Sequence, residues 1–382
     1  MGLSGVAQSA NVVGAALFAV PATAIVHRRG RRPSLAAAYF VATLGALIVF
    51  TAALSRSVPL LFVGFFLFGG AAAAGFQARY AAVDLAPAAL RGRHLSLIVW
   101  GTTLGAVVGP SLAAGAGTAV ARYGAPTIAG PFFFSALLFG LATLLLLLLL
   151  RPDPAVVARE MSAGGGTGAT APAGAGMGAA LRAIAARSSA RLGVCAMATG
   201  HLVMVGVMAM TPVHIRGAGH DPAHTLSIVG VVLSLHIAGM FAFAPVVGWL
   251  TDWLGRRPVV MAAIALLLGA CLVAGTAGYA TARLAVGMML LGLGWSGTMV
   301  AGSTMLTESV PAELKASAQG LSDLIMGLAG AFAGAISGLV VEVWGYPRLT
   351  LLAALATAPL LLLLWATVKV PDEVNASALP RT

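Results

Sequence analysis

Eleven apolar stretches of about twenty residues each constrain the fold of this 382-residue chain more than any other feature. A continuous apolar run of ~20 residues is the length of one membrane-spanning helix. The runs do not alternate between apolar and polar residues, which excludes a membrane β-barrel. Charged residues make up only 9% of the chain, against about 25% in soluble domains. The sequence therefore predicts an all-α polytopic membrane protein and excludes a soluble enzyme, a disulfide scaffold and a disordered chain.

The orientation of the predicted helices follows from the basic residues between them. Of the 22 lysines and arginines, 17 fall on one side of the predicted membrane and 5 on the other. Basic loops remain in the cytoplasm, so the richer side is predicted to be cytoplasmic. Arginine outnumbers lysine by 20 to 2, as in GC-rich bacterial genomes, and we expect a multi-pass protein of a bacterial cytoplasmic membrane. The predicted spans are 3–26, 34–54, 57–79, 95–120, 130–150, 192–215, 225–250, 259–279, 283–305, 318–341 and 349–369.

The stretch 151–191 differs in composition from the sequence around it. Arg151-Pro-Asp-Pro154 stops a helix, and a glycine–alanine tract follows that has too few large side chains to form a core. We predict a cytoplasmic linker between two bundles. The predicted divisions are a five-helix bundle at 1–150, the linker at 151–191, a six-helix bundle at 192–370 and a cytoplasmic tail at 371–382.

The two halves of the chain repeat each other. Gly30-Arg-Arg-Pro33 aligns with Gly255-Arg-Arg-Pro258 at a shift of 225, and Asp84–Arg91 aligns with Glu308–Lys315 at a shift of 224. Parallel repeats of six helices are a recurrent transporter plan. The chain has 5 + 6 predicted helices from this 12-helix plan, because the first-half counterpart of the 192–215 helix would lie upstream of Met1. We expect a start site assigned too far downstream or a truncated chain, with a true eleven-helix protein as the alternative.

The strongest motif is Gly248-Trp-Leu-Thr-Asp252-Trp-Leu-Gly255-Arg-Arg-Pro258. Gly248 permits close helix approach, Gly255 permits an unusual turn, and Asp252 can pair at a helix end. The arginines can pair with acids or with lipid phosphates. The motif resembles the cytoplasmic loop motif of the major facilitator superfamily, and the chain is identified as a member of that family of two-bundle transporters. The first-half copy has Thr23 and His27 where the family pattern has glycine and aspartate.

The resemblance implies a gating cluster. In the family, the motif aspartate and the first motif arginine join the acid that ends the fourth helix of each half. This cluster is thought to hold the two halves together on the cytoplasmic side in the outward-facing state. The gating residues that the resemblance implies are Gly30, Arg31, Arg32 and Asp84 in the first half and Gly248, Asp252, Gly255, Arg256, Arg257 and Glu308 in the second.

A second motif resembles that of the drug:proton antiporter branch of the family. It is the run Gly105, Gly109, Pro110 in the span 95–120, and ordinary small-residue packing is the alternative interpretation. Drug exporters also carry a membrane-buried arginine early in the fourth family helix. The span residues 57–78 contain no basic residue, and Arg79 is placed at the cytoplasmic end of the span.

Four polar residues within the spans are candidates for proton or substrate binding. Asp323 is the only carboxylate well inside a predicted span, and an ionisable group there indicates function, with pairing to another helix as the alternative. His201 and His236 lie near mid-span, where hydrogen-bonded packing is the alternative role. Asn11 is the repeat partner of His236. Symmetry-related polar groups suit a substrate site between the halves.

These observations predict a secondary active transporter that moves a small, partly apolar compound across the cytoplasmic membrane by alternating access, with proton-coupled export. Proton-coupled metabolite uptake is one alternative, and a transport-dead sensor or membrane enzyme on the same fold is another. The sequence has no nucleotide-binding P-loop, which favours an ion gradient over ATP hydrolysis. No catalytic motif, metal site, cofactor site or nucleic-acid module is expected. The expected partners are the substrate, protons and membrane lipids, and the expected state is a monomer.

Overall fold

The computed structural model describes residues 2–163, 176–219 and 222–368, and within these ranges all regular secondary structure is helical. Ten helical segments there are long and apolar enough to cross a membrane. A further helix of 31 residues, Arg91–Ala121, lies at the remaining predicted span. The predicted all-α polytopic fold is confirmed, and the helix count is consistent with the eleven predicted spans.

The first half of the chain forms a bundle whose helices pack closely through glycine. The span predicted at 57–79 consists of two helices that meet at Gly69. A Cβ on Gly69 would overlap the Asn11 carbonyl, and a Cβ on Gly14 would overlap the Phe66 carbonyl. Small residues allow such backbone approach in membrane bundles. The helices are α1 Gly2–Arg29, α2 Arg31–Ser55, α3 Val58–Phe68, α4 Gly70–Ala81, α5 Arg91–Ala121 and α6 Gly130–Leu149.

The predicted linker region contains two short helices, α7 Pro154–Ala163 and α8 Met177–Ala186. Most of its glycine–alanine tract, 164–175, lies outside the described residues. Ala180 and Ile184 of α8 are buried, so one face of that helix packs on the protein.

The second half packs around one long helix, Thr281–Ser309, which is buried along most of its length. A π-helix at Ala238–Ala242 interrupts the span predicted at 225–250. The span predicted at 349–369 is likewise divided, with its two helices separated by residues 356–357. The helices are α9 Ser188–Arg216, α10 Pro222–Ile237, α11 Ala244–Trp253, α12 Arg256–Gly275, α13 Thr281–Ser309, α14 Lys315–Trp344, α15 Tyr346–Leu355 and α16 Ala358–Val368.

The two halves meet mainly through two pairs of helices, α1 with α14 and α5 with α11. One end of the bundle collects the arginine-bearing ends of these helices and the starts of α2 and α12. We call it the arginine-rich side; the sequence predicts that it faces the cytoplasm. A Cβ on Gly327 of α14 would lie 3.0 Å from the Cβ of Ala16 in α1, so these two helices touch directly.

We expect Gly292→Ala to destabilise the second half, because a Cβ there would overlap the His236 carbonyl and the Met240 amide. Because those atoms belong to the backbone, they cannot shift without distorting a helix, and we expect the free energy of unfolding to fall by about 1–3 kcal/mol. Gly269→Ala is the matched control, since a Cβ at Gly269 meets no described atom within 4 Å. Thermal unfolding of the purified protein in detergent measures the difference. Equal melting temperatures for the two variants would contradict the close α10–α13 contact.

Candidate functional site

Two similar turns stand on the arginine-rich side, one in each half. Gly30 precedes α2 with φ of 96°, and Gly255 precedes α12 with φ of 94°. Glycine adopts this conformation without the strain that a side chain would cause. Each turn is followed by two arginines at the first helical positions, so the repeated Gly-Arg-Arg-Pro sequence has the same local structure in both halves.

In the second half, Asp252 joins the end of α11 to the start of α5 in the other half. Its carboxylate accepts the backbone N–H groups of Gly92 at 3.0 Å and Arg93 at 2.9 Å. The first N–H groups of a helix have no partner within the helix and carry its positive dipole end. Asp252 therefore caps α5 from the opposite bundle, and its side chain is only 3% exposed.

Arg256 completes this contact. Its guanidinium donates two hydrogen bonds to Glu308, at 2.9 and 3.1 Å, and lies 3.6 Å from Asp252. It also donates to the carbonyl of Ala88 in the first half at 3.0 Å. The backbones come close here, since a Cβ on Gly248 would lie 2.6 Å from the carbonyl oxygen of Gly92. Glycine at 248 is thus required for the α5–α11 contact.

The first-half arginine makes the equivalent contact. Arg31 is 2% exposed and donates to both carboxylate oxygens of Asp84, at 2.8 and 3.2 Å. It also donates to Gln77 at 3.1 Å and to Gln319 of α14, in the other half, at 2.5 Å. Arg31 and Arg256 therefore both pair with the acid predicted for them and both reach across to the opposite half.

The repeat is broken at His27, which stands where the second half has Asp252. A hydrogen bond of 2.7 Å joins His27 Nε2 to the hydroxyl of Ser317, at the start of α14. The contact between halves is kept, but a hydrogen bond between two side chains replaces the cap that a carboxylate gives to two backbone N–H groups.

A carboxylate missed in the sequence analysis serves the first-half turn instead. Asp153 accepts the backbone N–H of Arg31 at 3.0 Å and that of Arg32 at 2.7 Å, which caps α2. It also accepts the N–H of Ala155, at the start of α7, at 2.9 Å. The sequence analysis placed this residue in a linker and gave it no role. Its position after proline and four residues from the end of α6 is the only signal that the sequence offers.

A buried ion pair lies deeper in the bundle and also joins the two halves. Arg79 Nη2 of α4 and Asp323 Oδ1 of α14 are 2.5 Å apart, with the side chains 2% and 3% exposed. The guanidinium also donates to the Tyr80 hydroxyl at 2.9 Å and lies over the Tyr80 and Phe76 rings. Among the described residues, Asp323 Oδ2 has no hydrogen-bond partner.

This pair corrects the placement of Arg79, which the sequence analysis treated as a charge at the cytoplasmic end of its span. Burial follows from packing between halves, which span boundaries do not reveal. The lone Asp323 was the available signal, because a carboxylate buried at that depth requires a cationic partner. Gln319 and Asp323 are one helical turn apart on α14, so the Arg31–Gln319 and Arg79–Asp323 contacts form two successive layers.

Of the other polar candidates, His201 lies near the ion pair, whereas His236 and Asn11 lie elsewhere. His201 Nδ1 accepts the indole N–H of Trp295 at 3.1 Å, and its ring lies edge-on to Phe76, beside Arg79. His236 is fully buried and hydrogen-bonds through Nδ1 to the Met288 carbonyl at 2.9 Å, within its own half. The backbone of Asn11 lies against Gly69, where α3 and α4 meet, also within its own half.

The antiporter-like motif lies within α5. A Cβ on Gly105 or Gly109 would meet no described atom within 4 Å, so neither glycine marks a close helix contact in the described part of the chain. Pro110 is within the same helix, and its side chain lies outside the described part.

Comparison with known proteins identifies the family. The model of the Major Facilitator Superfamily matches residues 2–229 and again residues 220–381. The chain belongs to the major facilitator superfamily. Its family and fold are those of membrane transporters rather than enzymes. The membership of this family that the sequence motifs predicted is therefore confirmed.

Three similar proteins illustrate the relationship. The MFS-type transporter YddS of Bacillus subtilis, itself uncharacterized, is 36% identical over 374 residues, covering 97% of this chain and 84% of its own length. The riboflavin transporter RfnT of Brucella anthropi is 28% identical over 362 residues, with 92% and 84% covered. The structure of the Escherichia coli fucose:proton symporter FucP superposes with a TM-score of 0.70 at 17% identity, covering 96% of this chain and 90% of that one.

We expect Arg79→Met and Asp323→Leu each to destabilise the protein by about 3–5 kcal/mol, since either change leaves one buried charge without its partner. The double variant Arg79→Met/Asp323→Leu is expected to recover much of that loss. Arg29→Met, at an exposed position, is the control. Thermal unfolding in detergent reports the four values. A double variant as unstable as the sum of the singles would show that the two side chains act independently.

Proposed function

We propose that the chain is a secondary active transporter that exports a small, partly apolar compound across the cytoplasmic membrane in exchange for protons, by alternating access. The observation that carries this proposal is the buried Arg79–Asp323 pair, which links the two halves at 2.5 Å. Ionisable residues are rare in membrane interiors and commonly mark proton or ion pathways.

A proton on Asp323 would change the balance between conformations. Protonation removes the negative charge that holds the Arg79 guanidinium. The proton can bind to Asp323 Oδ2, which has no hydrogen-bond partner among the described residues. Arg79 keeps its hydrogen bond to Tyr80 at 2.9 Å after such a change. The contact that joins α4 to α14 is thereby weakened while each half stays intact. If the proton binds more tightly when the two halves are separated at this level, protonation shifts the population toward the separated state.

The contacts on the arginine-rich side supply the gate. Asp252, Arg256 and Arg31 each bond a group of the opposite half, and all three contacts must break when that side opens. We assign the gating role to these residues together with Gly30, Arg32, Asp84, Gly248, Gly255, Arg257 and Glu308. The halves correspond to 1–150 and 192–370, with 151–191 as the linker and 371–382 as the tail.

The residues around the ion pair favour a ligand with aromatic or apolar surface. Phe76 and His201 have ring centroids 6.1 Å apart, and Phe241 lies 5.6 Å from Trp295. Trp295 in turn bonds His201. Because RfnT is named a riboflavin transporter and is 28% identical to this chain, riboflavin is the first compound to test.

Export is favoured by the resemblance of the Gly105–Gly109–Pro110 run to the antiporter motif. Proton-coupled uptake is the alternative, because an ion pair between the halves suits a symporter equally well. Proteoliposomes with an imposed pH gradient, loaded in turn with riboflavin and with the dye ethidium, distinguish the two. Substrate moving against the proton flow indicates export, and substrate moving with it indicates uptake. Absence of proton-dependent flux across a wider panel of compounds would favour the transport-dead sensor.

We predict that Asp323→Asn abolishes the acceleration of transport by a pH gradient but leaves downhill exchange of substrate. The asparagine amide cannot take up a proton in the pH range of transport, but it can still accept a hydrogen bond from Arg79. Glu342→Gln, an exposed carboxylate at the far end of α14, is the matched control. Flux in proteoliposomes at several gradients provides the measurement. Unaltered dependence on the gradient in Asp323→Asn would reduce that residue to a packing role.

Asp252→Asn is predicted to slow transport about tenfold while leaving the amount of folded protein unchanged. The variant loses a charge-assisted contact of about 1.5–3 kcal/mol that exists only while the arginine-rich side is closed, and 1.4 kcal/mol corresponds to a factor of ten. Initial rates are compared with those of Glu342→Gln after reconstitution at matched protein density. Equal rates in both variants would exclude Asp252 from the gate.

A further inference from the structure

Tyr80 contacts both of the arginines that bond α14 across the interface. Its side chain is fully buried, and the guanidinium carbon of Arg79 lies 4.5 Å from the centroid of its ring. The guanidinium carbon of Arg31 lies 5.9 Å from the same centroid. A cation within about 6 Å of an aromatic face is attracted by the ring, most strongly where water is excluded. One side chain of α4 therefore touches a member of each of two contacts between the halves.

These two contacts form successive layers of the interface. Arg79 pairs with Asp323, and Arg31 donates to Gln319, one helical turn away on α14. The first contact belongs to the proposed proton site and the second to the proposed gate. Tyr80 follows Arg79 in the sequence and also touches Arg31 of α2. A change at one layer can therefore reach the other through this side chain.

The Tyr80 hydroxyl offers Arg79 a second acceptor when Asp323 loses its charge. Arg79 Nη2 donates to Asp323 Oδ1 at 2.5 Å and to the Tyr80 hydroxyl at 2.9 Å. With Asp323 neutral, the hydroxyl and the ring of Tyr80 would hold the guanidinium on α4. Because two cations over one ring repel each other, a closer contact of Arg79 with the ring weakens that of Arg31. The Arg31 side chain, and with it the bond to Gln319, is then less firmly held.

We propose that Tyr80 is a positioning residue that couples the Arg79–Asp323 pair to the Arg31–Gln319 contact. Its hydroxyl keeps Arg79 in the first half when Asp323 is neutral, and its ring passes the change to Arg31. This role rests on the proposed part of Asp323 in proton coupling. A second path is the direct attraction between the Asp323 charge and Arg31. Substitution of Tyr80 separates the two paths, because it leaves both of those charges in place.

Chemical modification of a cysteine at the α1–α14 contact measures how often this contact opens. Thr23 of α1 is buried against Gly320 of α14. A water-soluble maleimide therefore reaches the thiol of Thr23→Cys only when the two helices separate. Cys195→Ser and Cys271→Ala remove the native thiols. Initial rates of modification are compared for the full chain in nanodiscs, without substrate and without a pH gradient.

Asp323→Asn is expected to raise the rate of modification at least about fivefold, the lower end of the coupling between two sites of one protein. In the Tyr80→Leu background this increase is expected to disappear, and Tyr80→Phe, which keeps the ring, should restore part of it. Tyr346→Phe is the matched control, because Tyr346 is also buried and shares a hydrogen bond with Thr211, but within the second half. If Tyr80→Leu does not fold, the comparison of Tyr80→Phe with Tyr346→Phe decides.

Two outcomes would overturn the proposal. The first is an increase of the same size in the Tyr80→Phe, Tyr80→Leu and Tyr346→Phe backgrounds, which would assign the coupling to the direct attraction between Asp323 and Arg31. The second is the absence of any increase in Asp323→Asn when Tyr80 is in place. A failure of the proposed function appears separately, as the absence of proton-driven flux in proteoliposomes, because the modification rates are measured without substrate or gradient.

Discussion

Two opposite charges can lie in the interior of a membrane bundle only if each stabilises the other, and Arg79 and Asp323 do so from opposite halves of the chain. Separating the halves at that level exposes an uncompensated charge in each. The rest of the interface is arranged around this constraint. One helical turn nearer the arginine-rich side, Arg31 bonds Gln319, and beyond it Asp252 and Arg256 bond the start of α5 and the chain before it. The polar contacts between the halves thus succeed one another along the bundle.

Two helix starts on the arginine-rich side are capped by carboxylates, and one of these caps crosses between the halves. Asp252 neutralises the positive end of α5 from the opposite bundle, and Asp153 does the same for α2 within its own half. Both acids therefore bind backbone groups whose positions are fixed by the helix, rather than flexible side chains. Arg31 and Arg256 are then left to pair with Asp84 and Glu308. This division allows a small number of carboxylates to organise an end of the bundle that is rich in arginine.

The sequence predicts the helical fold and much of the gate, because both leave local patterns. Apolar runs mark the spans, and the duplicated Gly-Arg-Arg-Pro marks the two turns together with Arg31, Arg256 and their acids. The role of Arg79 could not be predicted in the same way, since it stands at the end of an apolar run and its charged partner lies on α14 in the other half. The capping role of Asp153 could not be predicted either, because the residue precedes a glycine–alanine tract. Its partners are backbone N–H groups, which no residue pattern displays.

His27 stands at the position in the first half that corresponds to Asp252 in the second half. The two seams between the halves, the α5–α11 contact and the α1–α14 contact, are therefore unequal at these positions. On the α5–α11 seam, a carboxylate holds two backbone N–H groups, and hydrogen bonds to a charged group contribute about 1.5–3 kcal/mol. On the α1–α14 seam, His27 and Ser317 share one hydrogen bond of the ordinary kind, which contributes about 0.5–1.5 kcal/mol. At these two equivalent positions, separation costs less between α1 and α14. The α1–α14 side of the interface is strengthened further along the helix, because Gln319 and Asp323 of α14 bond Arg31 and Arg79 in successive turns. Its polar contacts are thus distributed along α14, whereas those between α5 and α11 are concentrated at the start of α5.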